Sequence, residues 1–145
     1  SDSGKVANRV RAKRILEFGA PDPRTELEGG VELLFFDAQG NAGSRLTAER
    51  GLMRQEQRRM QVDGDVVFRN AKGEQLETEQ LLWAQDSDRV WTDRPVRIRR
   101  SHDIIHGQGL DANQDFTRYT VRNITGILYI GTGEDTLHAP TPSDR

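Results

Sequence analysis

Ser101-His102-Asp103 sets the three side-chain types of an acyl-transfer triad side by side, and His102 with His106 gives a four-residue histidine spacing. A triad is a convergence in space, and neighbours on an extended chain point to alternate sides, so adjacency is no sign of one. Two histidines four apart meet on a metal when a helix carries them. Here they flank strand-forming residues and have no cysteine or carboxylate partner for zinc. Glu77 and Glu79 share a strand face, as a glycosidase pair would, but no aromatic platform surrounds them and they read as solvated surface. Gly107-Gln108-Gly109 is too short for a dinucleotide fingerprint and opens no helix; glycines there mark a bulge or a crowded crossing. Arg94, Arg97, Arg99 and Arg100 could fork onto phosphates or acidic sugars. Their alternation with Val96 and Ile98 reads instead as the wet face of a strand. Asn123-Ile124-Thr125 is a sequon with meaning only in a eukaryotic secretory chain. Trp83 and Trp91 flank the turn Asp86-Ser87-Asp88 and are expected to pair across strands. The chain therefore reads as a non-enzyme, with no catalytic residue, metal site or cofactor expected.

The elements that carry these residues are strands arranged in a repeat. Arg9-Val10-Arg11-Ala12-Lys13-Arg14-Ile15-Leu16 reads against Arg45-Leu46-Thr47-Ala48-Glu49-Arg50-Gly51-Leu52. Leu76-Glu77-Thr78-Glu79-Gln80-Leu81-Leu82 and a weaker Ile105 to Leu110 follow, with anchors Val10, Leu46, Leu76 and Ile105 spaced 36, 30 and 29 residues apart. Recurrence at this interval indicates stacked copies of a unit that cannot bury its apolar face alone. Of the 145 residues 34% are apolar and 30% charged, which suits thin β-layers better than a thick helical core. A net charge of -2 argues against a nucleic-acid binder with a broad basic face. The absence of cysteine excludes a disulfide framework without fixing a compartment.

Strands are expected at Gly30–Phe36, Arg45–Leu52, Asp65–Arg69, Gln75–Trp83, Arg89–Thr92, Val96–Arg100, Ile104–Leu110, Phe116–Asn123 and Gly126–Ile130, with turns at Asp37–Asn41 and Asn70–Gly73. Ala48 to Met60 is rich in helix formers. Its place in the repeat matches Thr78 to Val90, so a hairpin bending at Gln55-Glu56-Gln57 is expected. Residues 1–130 are read as one domain and 131–145, with Pro140 and Pro142, as a frayed tail. The opening Ser1-Asp2-Ser3-Gly4 suggests that a segment upstream has been removed.

Gly64-Asp65-Val66-Val67-Phe68, Gly73 to Trp83, Val90-Trp91-Thr92-Asp93, Gly107 to Phe116 and Asn123-Ile124-Thr125-Gly126 together resemble the LptC family of lipopolysaccharide-transport proteins, within the OstA-like superfamily. Val31 to Met53 and Ser3 to Leu16 fit the preceding units. The resemblance implies an all-β, open and twisted jelly roll of stacked hairpins, held in the periplasm by an N-terminal inner-membrane anchor. It implies lipopolysaccharide as ligand, an inner-membrane ABC transporter as donor and a periplasmic bridge protein of similar fold as acceptor. The apolar positions expected to line a lipid groove are Val31, Leu33, Phe35, Leu46, Val66, Phe68, Leu76, Val96, Ile98 and Ile105. Free strand edges offer templates for a neighbouring chain. The rival readings are an adhesive β-repeat module that pairs through those edges without a lipid groove, and a carbohydrate-active β-repeat enzyme.

Overall fold

The computed structural model describes residues 7–36 and 39–130. Its twelve strands form one antiparallel sheet. They are β1 Ala7–Phe18, β2 Arg24–Phe36, β3 Ala42–Ala48, β4 Arg50–Arg54, β5 Arg59–Arg69 and β6 Gln75–Ala84, then β7 Arg89–Thr92, β8 Val96–Arg99, β9 Asp103–Gly107, β10 Leu110–Ala112, β11 Tyr119–Val121 and β12 Gly126–Tyr129. Four pairs of these strands continue one another. β3 and β4 are separated by Glu49 alone, β7 and β8 by residues 93–95, β9 and β10 by 108–109, and β11 and β12 by 122–125. The described residues thus form a meander of eight long strands, each bent once.

Pairing divides the sheet at that bend into two leaves. In the first, the anchor leaf, the N-terminal part of β1 pairs with Val31–Phe36, and the order continues through β3, Val66–Arg69, Gln75–Thr78, β8, β9 and β12. In the second, the turn leaf, the C-terminal part of β1 pairs with Arg24–Glu28, followed by β4, Arg59–Asp63, Gln80–Ala84, β7, β10 and β11. A strand with so few apolar residues covers them by folding its sheet over itself, so that both leaves turn the same face inward. The core contains residues of both: Leu33, Leu46, Phe68 and Ile98 of the anchor leaf, Leu27, Val62, Leu81 and Leu110 of the turn leaf.

The bends are local backbone events. β1 shifts register between Ala12 and Arg14, and β5 between Asp63 and Val66. At the latter Gly64 and Asp65 take φ of 89° and 47°, and the Glu49 N–H donates to the carbonyls of both Asp63 (3.2 Å) and Gly64 (2.9 Å). Two residues in the left-handed region swing the strand through an angle that regular pleat does not allow.

The expected bend at Gln55–Gln57 is a single 3-10 turn closed by Arg58 at φ 56°, and Gln85–Ser87 with Asp88 at φ 52° repeats it. The helix formers between Ala48 and Met60 yield to tertiary pairing: Met53 lies opposite Met60, and Met60 opposite Trp83. Three expectations need correction. Arg45–Leu52 is interrupted at Glu49 and Ile104–Leu110 at Gln108, because the sheet bends there. Phe116 belongs to a loop rather than a strand and sits at φ 61°. Arg24–Gly29, not expected as a strand, belongs to β2, and the returning arm of the expected hairpin runs past Met60 to Asp63 as the turn-leaf end of β5. The tail expected after 130 and part of the Asp37–Asn41 turn lie outside the described residues.

Gly107 stands where β9 leaves the anchor leaf, and a Cβ there would strike the Val121 side chain and come within 2.9 Å of the Arg122 carbonyl. Gly107→Ala is expected to lower stability by about 1–3 kcal/mol by overpacking, read as a fall in the urea midpoint at unchanged slope.

Candidate functional site

One row of paired residues crosses the anchor leaf from edge to edge. Val10 lies opposite Leu33, Leu33 opposite Leu46, Leu46 opposite Phe68, Phe68 opposite Leu76, Leu76 opposite Ile98, Ile98 opposite Ile105 and Ile105 opposite Ile127. Every bent strand contributes one apolar side chain, and the four repeat anchors of the sequence all stand in this row. Val31, Val66 and Val96 lie one step toward the bend, and Phe35 one step toward the turns. All ten positions expected to line a groove therefore share the inner face of one leaf, each no more than 6% exposed.

The opposing wall belongs to the turn leaf and was not among those ten. It is made by Leu27, Met60, Val62, Leu81, Trp83, Val90 and Leu110. Aromatic rings join the two walls. Phe68 lies 5.6 Å from Phe35 and 5.8 Å from Trp83, and Phe35 stacks over Trp83 at 6.4 Å. Phe116 stacks on Phe68 at 5.4 Å and meets Tyr119 at 4.7 Å. In this conformation the rings fill the space between the leaves. The Trp83 Nε1–H is buried without an acceptor, a polar donor left over in an otherwise apolar interior.

The expected Trp83–Trp91 pair does not form. Leu82, not Trp83, lies opposite Trp91, so the indoles point to opposite faces of the sheet. Trp91 is on the outside beneath the Arg89 guanidinium, 4.3 Å from its ring. On that outer face Leu52, Leu82 and Trp91, with Arg54 and Arg59, border a shallow cleft of about 280 Å³.

The polar signals resolve into ion pairs, one on the surface and one half-buried. Glu77 receives Arg97 at 2.6 Å and lies 3.4 Å from Arg99. Burial raises the Glu77 carboxyl, but hydrogen bonds from Arg97 and Gln75 and both arginine charges outweigh it and hold its pKa below the ordinary value. Asp103 is gripped by Arg100 through two hydrogen bonds of 2.7 Å, while Ser101 Oγ lies 2.9 Å from His102 Nδ1. Ser101 and His102 thus pair with each other, while the aspartate is committed to a structural ion pair with Arg100 and does not orient the imidazole. The Arg100 bond depresses the Asp103 pKa despite its burial and raises that of Arg100 in turn. Among the described residues no cluster of three or more His, Cys, Asp or Glu is placed to hold a metal.

The two flanks of the sheet differ from its middle. At one edge β1 leaves Ile15, Leu16 and Phe18 exposed; at the other, β12 exposes Ile127, Leu128 and Tyr129, with Ile124 and Ile130 beside them. Ile127 ends the anchor row and is 44% exposed, so the apolar inner face runs out to a strand that pairs with β9 alone among the described residues. No helix among the described residues is long and apolar enough to cross a membrane.

A bent antiparallel meander with a continuous apolar inner face and, among the described residues, edge strands with one neighbour each defines the class: an open, twisted β-jelly roll of stacked hairpins. The chain belongs to the LptC-related lipopolysaccharide-assembly family, whose profile matches residues 1–128. Among solved structures it is similar to the Pseudomonas aeruginosa LptH, described as the LptA-homologous periplasmic component of the lipopolysaccharide transport device. The TM-score is 0.63 at 11% identity, covering 86% of this chain and 94% of that one, a likeness of fold. No curated protein sequence matches the chain closely enough to serve as a relative.

The Arg100–Asp103 pair closes the β8–β9 turn beside this interior. Since the folded carboxyl titrates below its unfolded value of about 3.9, its stabilisation is whole above that pH and fades as pH falls through the folded pKa. Asp103→Asn is expected to cost about 1–2 kcal/mol at neutral pH and to flatten the acid limb of a stability-versus-pH curve measured by urea unfolding.

Proposed function

We propose that this chain is a non-enzymatic lipopolysaccharide carrier that takes the lipid's acyl chains between its two leaves and hands them along its strand edges. The observation that carries this reading is the anchor row, an apolar track that enlists every bent strand and ends on exposed Ile127. Moving a lipid through water demands that its chains stay covered, at roughly 25 cal/mol for each Å² of apolar surface kept from solvent. A row with no polar interruption lets a chain slide from strand to strand without meeting a barrier. The unpartnered Trp83 Nε1–H offers a donor to an ester or hydroxyl oxygen of such a chain, which an ordinary sealed core has no use for.

The work of extraction comes from outside this domain, from an inner-membrane ABC transporter, and the acceptor is a periplasmic bridge protein of similar fold. The β1 edge, with Ile15, Leu16 and Phe18, receives the donor's side. The β12 edge receives the acceptor, whose first strand extends the sheet and lengthens the apolar row. Periplasmic location with an inner-membrane anchor accompanies this assignment. Family membership and the fold shared with LptH support it.

Photo-crosslinking residues placed one at a time at Phe35, Phe68, Ile98 and Trp83 are expected to capture lipopolysaccharide, while one at outward-facing Trp91 does not. Absence of labelling at all four, with circular dichroism showing folded protein, would favour the edge-pairing adhesive module. A crosslinker beside Ile130 is expected to trap the bridge protein, and failure to do so argues against the β12 assignment.

A further inference from the structure

The β10–β11 loop crosses from one leaf to the other. Its root is on the turn leaf, where β10 and β11 are three residues each and the Gln114 N–H bonds Asp88 Oδ1 at 3.0 Å. Its tip reaches the turns of the anchor leaf. The Asn70 side-chain amide donates to the Phe116 carbonyl at 2.8 Å, and Ser44 Oγ donates to the Asp115 carbonyl at 2.6 Å. Both acceptors are main-chain carbonyls, and both donors sit at the mouth opposite the bend. Between these bonds the Phe116 ring drops into the interior, 0% exposed, and stacks on Phe68 in the middle of the anchor row. Its backbone is held at φ 61°, a costly conformation for a bulky side chain. Beside it a cleft of about 180 Å³ leads from Asp115, Thr117 and Ala71 down to Phe35.

A loop with strained backbone, rooted in two short strands and fastened by neutral hydrogen bonds, has a second position within reach. Releasing the two bonds lets the turn at the tip, closed by the Phe116 N–H on the Asn113 carbonyl at 3.0 Å, move as a unit and withdraw an aromatic ring from between the leaves. The space vacated joins the cleft at Phe35 and opens onto Phe68. We propose that this loop is a latch over the side mouth of the jelly roll, with Phe116 filling the place that an acyl chain takes when the latch lifts. The inference rests on the carrier reading above and adds how the closed interior admits its ligand.

The chain has no cysteine, so Ser44→Cys with Asp115→Cys supplies a single reversible lock across the mouth. With Trp91→Phe also present, Trp83 is the sole indole and reports the interior. Two probes are applied to the oxidised and reduced forms of the same protein: lipopolysaccharide, read by photo-labelling at Ile98, and a dibrominated long-chain fatty acid, read by quenching of Trp83. The reduced form is expected to admit both, and oxidation to suppress both by about ten-fold or more. Ser44→Ala in the cysteine-free chain, which removes one neutral hydrogen bond, should raise the rate of quenching about five-fold. Phe116→Ala should raise it further.

Equal labelling and quenching in the oxidised and reduced forms overturns the latch. So does Phe116→Ala protein that folds yet quenches at the unmodified rate, which also decides the matter if the disulfide does not form. Lipopolysaccharide that labels neither form, with redox-dependent quenching by the fatty acid, removes the carrier reading and leaves the latch standing. Failure of both probes in the reduced form removes both.

Discussion

The structure depends on one constraint: each of eight bent strands must turn the same face inward on both sides of its bend. The sheet has too few apolar residues to waste any on the outside, and a slip of one residue would turn a whole half-strand's side chains to water. Strands running from the anchor leaf to the turn leaf meet this by changing parity. Leu46 and Ala48 are inward before Glu49, and Gly51 after it; Leu76 and Thr78 give way to Leu81 and Trp83; Ile105 and Gly107 give way to Leu110. Strands running back keep parity, as Leu27 to Val31 and Leu33, Val62 to Val66 and Phe68, and Val90 to Val96 and Ile98 show. The difference lies in how many residues separate the inward positions that flank each bend: two (49–50, 79–80, 108–109) flip the alternation, and three (28–30, 63–65) or five (91–95) keep it. Two bent strands, one of each kind, make the true repeating unit.

That alternation explains what the sequence revealed and what it hid. Periodicity of two is legible within a leaf, and all ten expected inward residues are inward. The recurrence of Val10, Leu46, Leu76 and Ile105 was legible as well, and it is now a single cross-strand row. The turn leaf was hidden because its wall lies past each bend. Carrying the parity of Leu76 through Glu79 puts Leu82 inside and Trp83 outside, whereas the bend reverses them. Leu27 stands alone among polar and charged neighbours, too thin a signal to mark Arg24–Glu28 as a strand, and Val62 likewise left the hairpin arm past Met60 unmarked. The mistaken pairing of the two tryptophans has the same origin, since the hairpin register sets Leu82 against Trp91. Phe116 shows a different limit. Its apolar type suggests a strand, but its placement follows from Asn70 and Ser44, distant residues whose amide and hydroxyl carry no local pattern.

Chemistry-bearing residues were separated from scaffold by partner choice rather than by type. Asp103 could serve a histidine, yet Arg100 supplies a planar fork that matches both carboxylate oxygens, and two charge-assisted bonds outweigh one to an imidazole. Glu77 is likewise committed between Arg97 and Arg99. The Glu77 group lines the outside of the β6–β8 region, while Arg100 and Asp103, on the inward parity at the β8–β9 turn, neutralise each other, so neither pair puts an unpaired charge on the inner face. An apolar conduit requires that segregation, because a single unpaired carboxylate inside would cost more than several methylenes repay.

The same segregation sets a tension between stability and transport. A row of side chains buried at its six inner positions is what holds a small, highly charged sheet together, and in the proposed carrier a lipid would replace part of that packing with its own. The exchange is tolerable because acyl methylenes and side-chain methylenes bury equivalent surface, so the closed and loaded states differ less than either differs from an empty, open one. Aromatic rings suit the closed state: Phe35, Phe68, Trp83 and Phe116 meet as planes that can part without breaking hydrogen bonds among themselves. What has to be broken lies at the rim, where two main-chain carbonyls are held by Asn70 and Ser44. The fold thereby concentrates its polar closure at the mouth and keeps its apolar interior exchangeable, which is the division of labour that a reversible lipid carrier needs.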